Sequence, residues 1–303
     1  MLVVGGGGFI GGHLIKRCLQ DTRNIVSLVL NDRKSSAGVE TINADLLDRS
    51  KISFVFSNKT FDYVFNLGGY IDHTPFFKGG RRLIEAHFSG LMNIIENLDP
   101  AALKGFVQVG SSDEYGSAPA PQSERCRENP IAPYSLAKAA ATHLVQTLSR
   151  SEGFPGTVLR FFLVYGPGQD ENRFLPQVIK GCLDNVEFKA SEGGQLRDFC
   201  YVEDVVDAMI TAAIRPQAKG QVINIASGKA VTVREVIEKV VNLTGGGKPL
   251  WGAHAYREGE NMALYAEASL AKKLLDWEAS TGLEEGLAKT IEFYKRRIDP
   301  EVS

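Results

Sequence analysis

Two residues of the chain have the types and the spacing needed for proton transfer. Tyr134 and Lys138 lie four residues apart in a segment with apolar residues at helical spacing, so both project from one face of the predicted helix. A free tyrosine phenol has a pKa near about 10, and a neighbouring ammonium favours the phenolate. The pair is therefore suited to acid/base chemistry. Such pairs also occur by chance on helices, so its meaning depends on its surroundings.

A segment rich in hydroxyl groups precedes this pair. A predicted strand over residues 106–109 is followed by the run Gly-Ser-Ser-Asp-Glu-Tyr-Gly at 110–116. Parallel sheets place their active sites at the carboxyl ends of strands, so Ser111 is positioned to bond a reacting oxygen. Its alternative role is a turn or a helix cap. Together with Tyr134 and Lys138, Ser111 favours a catalytic interpretation.

A glycine-rich turn lies near the start of the chain. Residues 6–11 read Gly-Gly-Gly-Phe-Ile-Gly, which satisfies G-x-G-x-x-G between a predicted strand and a predicted helix. Glycines permit the tight turn and let a pyrophosphate approach the backbone, while the helix N-terminus favours negative charge. We therefore predict a dinucleotide site here, with a flexible glycine loop as the minor alternative.

The residues after the second predicted strand leave the choice between NAD and NADP open. An acidic residue at this place bonds the ribose 2′-hydroxyl of NAD, and Asp32 fits that role. Asn31, Arg33 and Lys34 suit the 2′-phosphate of NADP instead. Further along, Asp45 is either an acceptor for the adenine amine or a helix cap.

Short apolar runs alternate with helical stretches and predict the elements that position these residues. This is the pattern of βαβ units, so we expect an α/β fold with a Rossmann-type doubly wound parallel sheet. The predicted strands are Leu2–Val4, Ile25–Leu30, Tyr63–Asn66, Phe106–Val109 and Val158–Phe162, and the predicted helices are Gly11–Leu19, Arg81–Asn97 and Tyr134–Arg150.

The pattern loosens after Gly166-Pro167-Gly168. We interpret residues 1–165 as an NAD(P)-binding domain and residues 166–303 as a smaller, partly interleaved substrate-binding region. A further apolar run, Val222–Ile225, predicts a strand that returns to the sheet or to its edge.

Composition argues against several other classes of protein. The 303 residues are 44% hydrophobic and 23% charged, which is typical of globular proteins, and the net charge of −2 does not indicate a nucleic-acid partner. No apolar run approaches the ~20 residues that span a bilayer, so we expect neither a signal peptide nor a membrane anchor. Four scattered cysteines indicate reduced thiols and a cytoplasmic protein, and five histidines without metal-ligand spacing predict no metal site.

Taken together, these motifs resemble the extended short-chain dehydrogenase/reductase family of NAD-dependent nucleotide-sugar epimerases, dehydratases and 4-keto reductases. The resemblance spans nearly the whole chain and is far more specific for the family than for a reaction. Its marks are Gly5-Gly6-Gly7-Gly8-Phe9-Ile10-Gly11, Asn66-Leu67-Gly68-Gly69, Ser111 to Gly116, Tyr134-x-x-x-Lys138, Tyr165-Gly166-Pro167-Gly168, Arg197-Asp198-Phe199-x-Tyr201-Val202-x-Asp204, Asn224-Ile225-Ala226-Ser227-Gly228 and Leu274-Leu275-Asp276-Trp277.

The resemblance implies a role for individual residues. Tyr134 is the acid/base, Lys138 lowers its pKa and holds the nicotinamide ribose, and Ser111 orients the substrate oxygen while hydride moves between the hexose C4 and the nicotinamide. Arg197 meets the nucleotide diphosphate, and Arg173 is a weaker second candidate that is equally suited to an exposed loop. The remaining implied contacts are Ser112 for substrate and Gly5, Gly8, Phe9, Ile10, Gly11, Asp32, Arg33, Asp45, Leu46, Leu67 and Gly68 for cofactor.

Three positions depart from the family pattern. Val4 stands where threonine is usual, and Leu163 replaces an asparagine that contacts substrate. The usual alanine pair after the third strand is Gly68-Gly69, which we expect to leave more room beside the cofactor.

The resemblance leaves the reaction open. Dehydratases carry an acidic pair, or threonine with glutamate, where this chain has Ser112 and Asp113. The run around Asp113 also resembles 4-keto-6-deoxy-sugar reductases, and a charged turn is its plain alternative. We rank C4 epimerisation and 4-keto reduction nearly level, with 4,6-dehydration behind. A non-catalytic NAD(P)-binding sensor or scaffold ranks last, because Tyr134 and Lys138 are both intact.

The resemblance also predicts a homodimer. Helices Arg81–Asn97 and Tyr134–Arg150 are similar to those that form a four-helix interface in the family. Their apolar spacing equally suits packing on the sheet.

Overall fold

The computed structural model describes residues 1–21, 24–30, 38–57, 59–256 and 259–298. Asp32 and Arg33, which were predicted to select the cofactor, lie outside the described residues.

Within the described residues, the chain forms the following strands and helices. The strands are β1 (Leu2–Val4), β2 (Val26–Val29), β3 (Glu40–Asn43), β4 (Tyr63–Asn66), β5 (Gly105–Ser111), β6 (Gly156–Phe161), β7 (Leu163–Tyr165), β8 (Glu187–Lys189), β9 (Leu196–Tyr201), β10 (Val222–Ile225), β11 (Ala230–Thr232), β12 (Lys248–Leu250) and β13 (Ala263–Leu264). The helices are α1 (Phe9–Cys18), α2 (Arg49–Phe56), α3 (Arg81–Ile84), α4 (Gly90–Ile95), α5 (Pro133–Glu152), α6 (Phe174–Leu183), α7 (Val202–Ile214), α8 (Val233–Thr244), α9 (Ser269–Leu275) and α10 (Leu283–Ile298).

The central sheet contains seven parallel strands in the order β10-β6-β5-β4-β1-β2-β3. The strand order reverses beside β1, which pairs with β2 on one side and with β4 on the other. Open α/β sheets bind their ligands at such a switch point. The predicted fold class, a doubly wound parallel sheet, is confirmed.

The register brings the carboxyl ends of the middle strands to one edge. Val4 pairs with Asn66, Asn66 pairs with Gln108, and Ser111 pairs with Phe161. The turns that follow β1, β4 and β5 therefore lie side by side, and they contain the glycine run, Leu67 and the serine segment.

Apolar side chains cover both faces of this sheet. On one face Val3 packs with Leu14 of α1 and Met209 of α7, and on the other Leu2 packs with Leu91 of α4. Because successive strand residues point to opposite faces, the fully apolar run Leu2–Val4 contributes to both layers. Burial on both sides keeps the strand ends, and the loops they carry, in place.

Helix α3 passes into α4 through a π-helical turn, Glu85–Ser89. Together these elements cover residues 81–95 of the single helix predicted as Arg81–Asn97. Such turns widen a helix locally and are frequent at functional sites.

The C-terminal part of the chain forms smaller sheets beside the main one. Strand β9 pairs with β7, β11 and β13, and β8 pairs with β12. Helices α6, α8 and α10 pack around an apolar cluster that includes Ile179, Val236 and Leu287. Strand β10, predicted to return to the sheet or its edge, forms one edge of the main sheet beside β6. The division into domains at residues 165 and 166 stays a prediction.

In the described part of the chain, no helix is both long and apolar enough to cross a bilayer. Those same residues contain no cluster of three or more His, Cys, Asp or Glu side chains arranged to hold a metal ion.

Candidate active site

The glycine run forms a turn so tight that side chains would collide with the backbone. Gly5 has a φ of +80°, and a Cβ added there would lie 2.9 Å from the Leu67 carbonyl oxygen. A Cβ on Gly11 would lie 2.3 Å from the carbonyl oxygen of Gly5. The turn is closed by a hydrogen bond of 3.0 Å from the Gly8 amide to the Gly5 carbonyl. These positions therefore require glycine.

This turn places the N-terminus of helix α1 at the carboxyl edge of the sheet. Helix α1 is capped by Gly8 and begins at Phe9, and its first turn, residues 9–12, has no charged side chain. A Cβ on Gly12 would meet no heavy atom within 4 Å. Open space at a helix N-terminus, with its exposed amides, suits a pyrophosphate. The residues present thus fit a dinucleotide, and the cofactor contacts predicted for Gly5, Gly8, Phe9, Ile10 and Gly11 all lie in this turn.

The end of β4 lies against the same turn. The Leu67 amide donates to the Val4 carbonyl at 3.0 Å, and the Gly68 amide donates to Asn66 Oδ1 at 3.0 Å. Asn66 in turn donates to Gln108 Oε1 at 2.8 Å. This buried amide pair links the ends of β4 and β5 and fixes the place of Leu67 and Gly68.

The room expected at Gly68 and Gly69 is already filled by the protein. A Cβ on Gly68 would lie 2.7 Å from Leu46 Cδ1, and a Cβ on Gly69 would lie 2.1 Å from His87 Cε1. The prediction of extra space beside the cofactor is therefore wrong. The two missing methyl groups are replaced by the side chains of Leu46 and His87.

The segment with Asp45 and Leu46 forms a turn before α2. Asp45 Oδ1 accepts from the Leu47 amide at 3.0 Å, whereas the cap of α2 is Asp48, whose Oδ1 accepts from the Lys51 amide at 3.1 Å. The alternative that Asp45 caps a helix is therefore wrong. Asp45 is exposed, which leaves its carboxylate accessible for the predicted adenine contact.

The tyrosine and lysine lie on the first turns of α5. Pro133 is the first residue of this helix, which favours its start there. Tyr134 is 3% exposed and Lys138 is 4% exposed. The Lys138 ammonium donates to the Val109 carbonyl at 2.8 Å and lies 5.9 Å from the centre of the Tyr134 ring. Because Val109 lies two residues before Ser111 on β5, this bond brings the tyrosine, lysine and serine together.

Burial dominates the acid/base properties of this group. Burial raises the pKa of the Tyr134 phenol, the carboxylate of Asp113 raises it further, and a hydrogen bond with Ser111 acts in the opposite direction. The net shift is upward, the reverse of the lowering that the neighbouring Lys138 was expected to cause. Burial also lowers the pKa of Lys138 to about 8, partly opposed by the charge of Glu114.

Ser111 has two functions in the structure. It caps a 3-10 turn, Ser112–Tyr115, and its hydroxyl accepts from the Asp113 amide at 3.2 Å. The cap that was weighed as an alternative to catalysis is therefore present, and the same hydroxyl also bonds to Tyr134. Ser112, predicted to contact substrate, is buried, and Asp113 is half-buried.

Glu114 holds the serine segment in place. Its Oε1 accepts from the Ser111 amide at 2.8 Å, and its Oε2 accepts from Thr142 of α5 at 2.8 Å. Arg160 of β6 completes this buried cluster. Its Nε donates to Glu114 Oε2 at 2.9 Å, and its guanidinium also donates to Glu128. Glu114 is thus a structural carboxylate that ties β5, β6 and α5 together.

The two predicted substrate arginines occupy different environments. Arg197 on β9 is 9% exposed and forms an ion pair with Glu260. The charge of Asp113 acts to raise the pKa of Arg197, so the two side chains face a common region. Arg173 is exposed at the start of α6, and its charge lowers the pKa of Tyr134. The structure therefore brings both arginines within electrostatic reach of the predicted site.

Sequence reasoning missed two residues beside Tyr134. The rings of His87 and His73 lie edge-to-face with the Tyr134 ring, with centroids 5.2 Å and 6.0 Å apart. In the sequence, both were counted only among the histidines that lack metal-ligand spacing. The only signal in the sequence was Gly69, whose missing side chain leaves the place that His87 fills.

This chain is similar to a protein family, to known sequences and to solved structures. Residues 1–226 match the NAD dependent epimerase/dehydratase family. The chain is 28% identical over 308 residues to an uncharacterised UDP-glucose epimerase, YtcB, of Bacillus subtilis (strain 168), covering 97% of each chain. Among solved structures it is similar to the UDP-glucose 4-epimerase of Thermotoga maritima with UDP-glucose, with a TM-score of 0.92, 26% identity and coverage of 98% and 99%. MoeE5 in complex with UDP-glucuronic acid and NAD gives a TM-score of 0.84, 31% identity and coverage of 98% and 99%.

Proposed function

Because this chain belongs to the NAD dependent epimerase/dehydratase family, we propose that it is an NAD(P)-dependent nucleotide-sugar epimerase or reductase acting at C4 of the hexose. We rank C4 epimerisation first because two of the similar proteins are UDP-glucose epimerases by name. One observation carries the proposal: the hydrogen bond from Lys138 to Val109 holds Tyr134 beside Ser111 at the carboxyl end of β5. The glycine turn and helix N-terminus suited to a dinucleotide open onto the same edge.

Each residue of this group has a chemical role in the proposal. Tyr134 exchanges a proton with the C4 oxygen, and Ser111 hydrogen-bonds that oxygen and orients it. Lys138 holds the nicotinamide ribose and supplies positive charge beside Tyr134. When bound, the nicotinamide supplies the hydride acceptor and donor for C4. The turn at residues 5–11 holds the pyrophosphate.

NAD is the cofactor we propose to test first. The matching family is NAD dependent, and MoeE5 was solved with NAD. Leu67, Gly68, Asp45 and Leu46 would line the adenosine half, and Asp32 and Arg33 would decide between the 2′-hydroxyl and the 2′-phosphate.

For the substrate we propose a UDP-hexose. Two similar proteins were solved with UDP-glucose or UDP-glucuronic acid. Arg197 is the proposed diphosphate contact, since its planar fork of donors matches two phosphate oxygens. Ser112 and Arg173 are proposed as further contacts, closer to the sugar.

A 4-keto reductase is the second candidate. Burial and Asp113 raise the pKa of Tyr134, so the phenol is protonated at neutral pH and ready to donate to a ketone oxygen. The segment Ser111 to Gly116 also resembles such reductases. A 4,6-dehydratase would require Asp113 to take part in proton transfer, and this is the third outcome to be tested.

A product screen separates these reactions. Purified protein is incubated with UDP-hexoses and with 4-keto-6-deoxy nucleotide sugars, each with NAD, NADH, NADP or NADPH. Epimerisation yields the C4 epimer with no net cofactor change, reduction consumes reduced cofactor stoichiometrically, and dehydration yields a 4-keto-6-deoxy sugar. Asp113→Asn should slow dehydration far more than epimerisation or reduction. Protein that binds cofactor but converts none of these sugars would contradict the proposal and favour a sensor or scaffold.

A further inference from the structure

His87 is buried in the π-helical turn between α3 and α4 and is 4% exposed. Its Nε2 lies 2.8 Å from the carbonyl oxygen of Tyr70. A carbonyl oxygen only accepts hydrogen bonds, so Nε2 carries the hydrogen, and Nδ1 of the neutral ring is unprotonated. This bond fixes the orientation of the imidazole.

The imidazole fits against the backbone of Gly69. A Cβ at position 69 would lie 2.1 Å from His87 Cε1 and 2.4 Å from Nδ1, closer than any non-bonded contact allows. Gly69 also has a φ of +109°, which disfavours any other residue. Gly69 and His87 therefore form a matched pair, in which the ring takes the place of the missing side chain.

The His87 ring also packs against the Tyr134 ring. The planes of the His87 and Tyr134 rings meet at 79°, with centroids 5.2 Å apart. The planes of the His73 and Tyr134 rings also meet at 79°, with centroids 6.0 Å apart. Edge-to-face contacts of this kind are favourable and directional. Two imidazoles thus restrict the ring that presents its hydroxyl to Ser111.

The imidazole is neutral under working conditions. Burial and the charge of Lys138 lower the pKa of His87 to about 3, against a smaller opposing effect of the Tyr70 carbonyl. His87 therefore adds no charge beside Tyr134 at neutral pH, and its contribution is one of shape and packing.

We propose that His87 is a positioning residue for proton transfer, which together with Gly69 holds the Tyr134 ring so that its hydroxyl stays against Ser111. This assignment rests on the acid/base role proposed for Tyr134. A small misplacement of a reacting group is costly in rate, because the reaction depends on close alignment of the atoms that exchange the proton.

A double-mutant cycle tests this role with His87→Ala, Gly69→Ala and the combined variant. His87→Ala should lower kcat by about 10-fold to 100-fold. KM for the nucleotide sugar and the affinity for cofactor should stay within about twofold of the wild-type values, because His87 is proposed to affect proton transfer and not binding. Gly69→Ala should also lower kcat, but its additional effect should be much smaller in the His87→Ala background, where the clash is absent.

Backbone strain at position 69 requires a matched control. Gly79 has a φ of +104°, and a Cβ added there meets no heavy atom within 4 Å. Gly79→Ala therefore introduces similar strain without a collision, and its kcat should stay near wild type. Equal additional losses for Gly69→Ala in both backgrounds, or a His87→Ala loss confined to KM, would overturn the assignment.

A substrate-free measurement separates this inference from the proposed function. In protein with 13C-labelled tyrosine, the Tyr134 ring signal is identified by its absence from Tyr134→Phe. His87→Ala should shift and sharpen that signal, because the ring loses its edge contact and turns more freely. An unchanged signal would overturn the assignment even if wild-type protein converted no nucleotide sugar.

Discussion

The ammonium of Lys138 donates a hydrogen bond to the backbone carbonyl of Val109, with 2.8 Å between the two atoms. This bond ties helix α5, which carries Tyr134, to strand β5, which ends at Ser111. A buried ammonium would be costly without such a partner. The same contact thus orients the helix and keeps a positive charge beside the phenol.

The pH dependence of turnover should follow the charge of Lys138. Burial lowers the pKa of this lysine to about 8, so the positive charge is present below that pH and lost above it. Turnover should therefore fall as pH rises through about 8, measured as kcat against pH with saturating cofactor. Lys138→Met should be slower throughout and lack this decline. A wild-type profile that stays flat from pH 7 to about 10 would contradict the role of Lys138.

Glu114 should be a determinant of stability. It bonds to Ser111 and Thr142 and pairs with the fully buried Arg160. Glu114→Gln leaves the Arg160 charge with a weaker partner, so the free energy of unfolding should fall by about 3 to 5 kcal/mol. Denaturant titration measures this change. Glu128→Gln removes the charge of the more accessible partner of Arg160, so it should lower the free energy of unfolding by clearly less. Equal losses of stability in the two variants would refute the central role of Glu114.

The two arginines should differ in their effect on substrate binding. Arg197 is nearly buried beside Glu260, whereas Arg173 is exposed. Arg197→Ala should raise KM for the nucleotide sugar at least about 10-fold, since a charged hydrogen bond to phosphate is lost. Arg173→Ala should have a smaller effect on KM. Initial rates over a range of substrate concentrations decide the point, and the reverse order would place the diphosphate at Arg173.

Local sequence patterns were sufficient to predict much of the fold and the grouping of Tyr134, Lys138 and Ser111. Tyr134 and Lys138 share a helix face, and Ser111 follows an apolar strand, so their meeting depends only on periodicity and sheet topology. Strand β3 was missed because three of its four residues are exposed at the sheet edge, so it lacks a buried apolar run. The partners of Arg197 and His87 were also missed. Glu260 lies 63 positions from Arg197, and His87 meets Tyr134 through a π-helical turn that no periodicity indicates.

The homodimer stays a prediction, and the surface near α5 gives it a physical basis. Phe76, Ile131 and Leu136 are exposed and line one cavity near the start of that helix. Contiguous exposed apolar side chains often mark an interface. Light scattering at micromolar concentration should give twice the mass of the chain, and Leu136→Glu should reduce it to the monomer mass. A wild-type monomer across that concentration range would exclude the dimer.

We propose that Tyr134 transfers the proton at C4, and single-turnover kinetics of Tyr134→Phe measure this role. The substitution removes the hydroxyl but keeps the ring that packs against His87 and His73, so folding and cofactor affinity should be preserved. Loss of general acid/base catalysis typically slows a reaction by about 10²-fold to 10⁴-fold, and the rate of hydride transfer should fall by at least that factor. Bound-cofactor absorbance after mixing with the sugar identified by the product screen gives this rate. A Tyr134→Phe protein that binds cofactor normally and transfers hydride at a near-wild-type rate would contradict the proposed role of Tyr134.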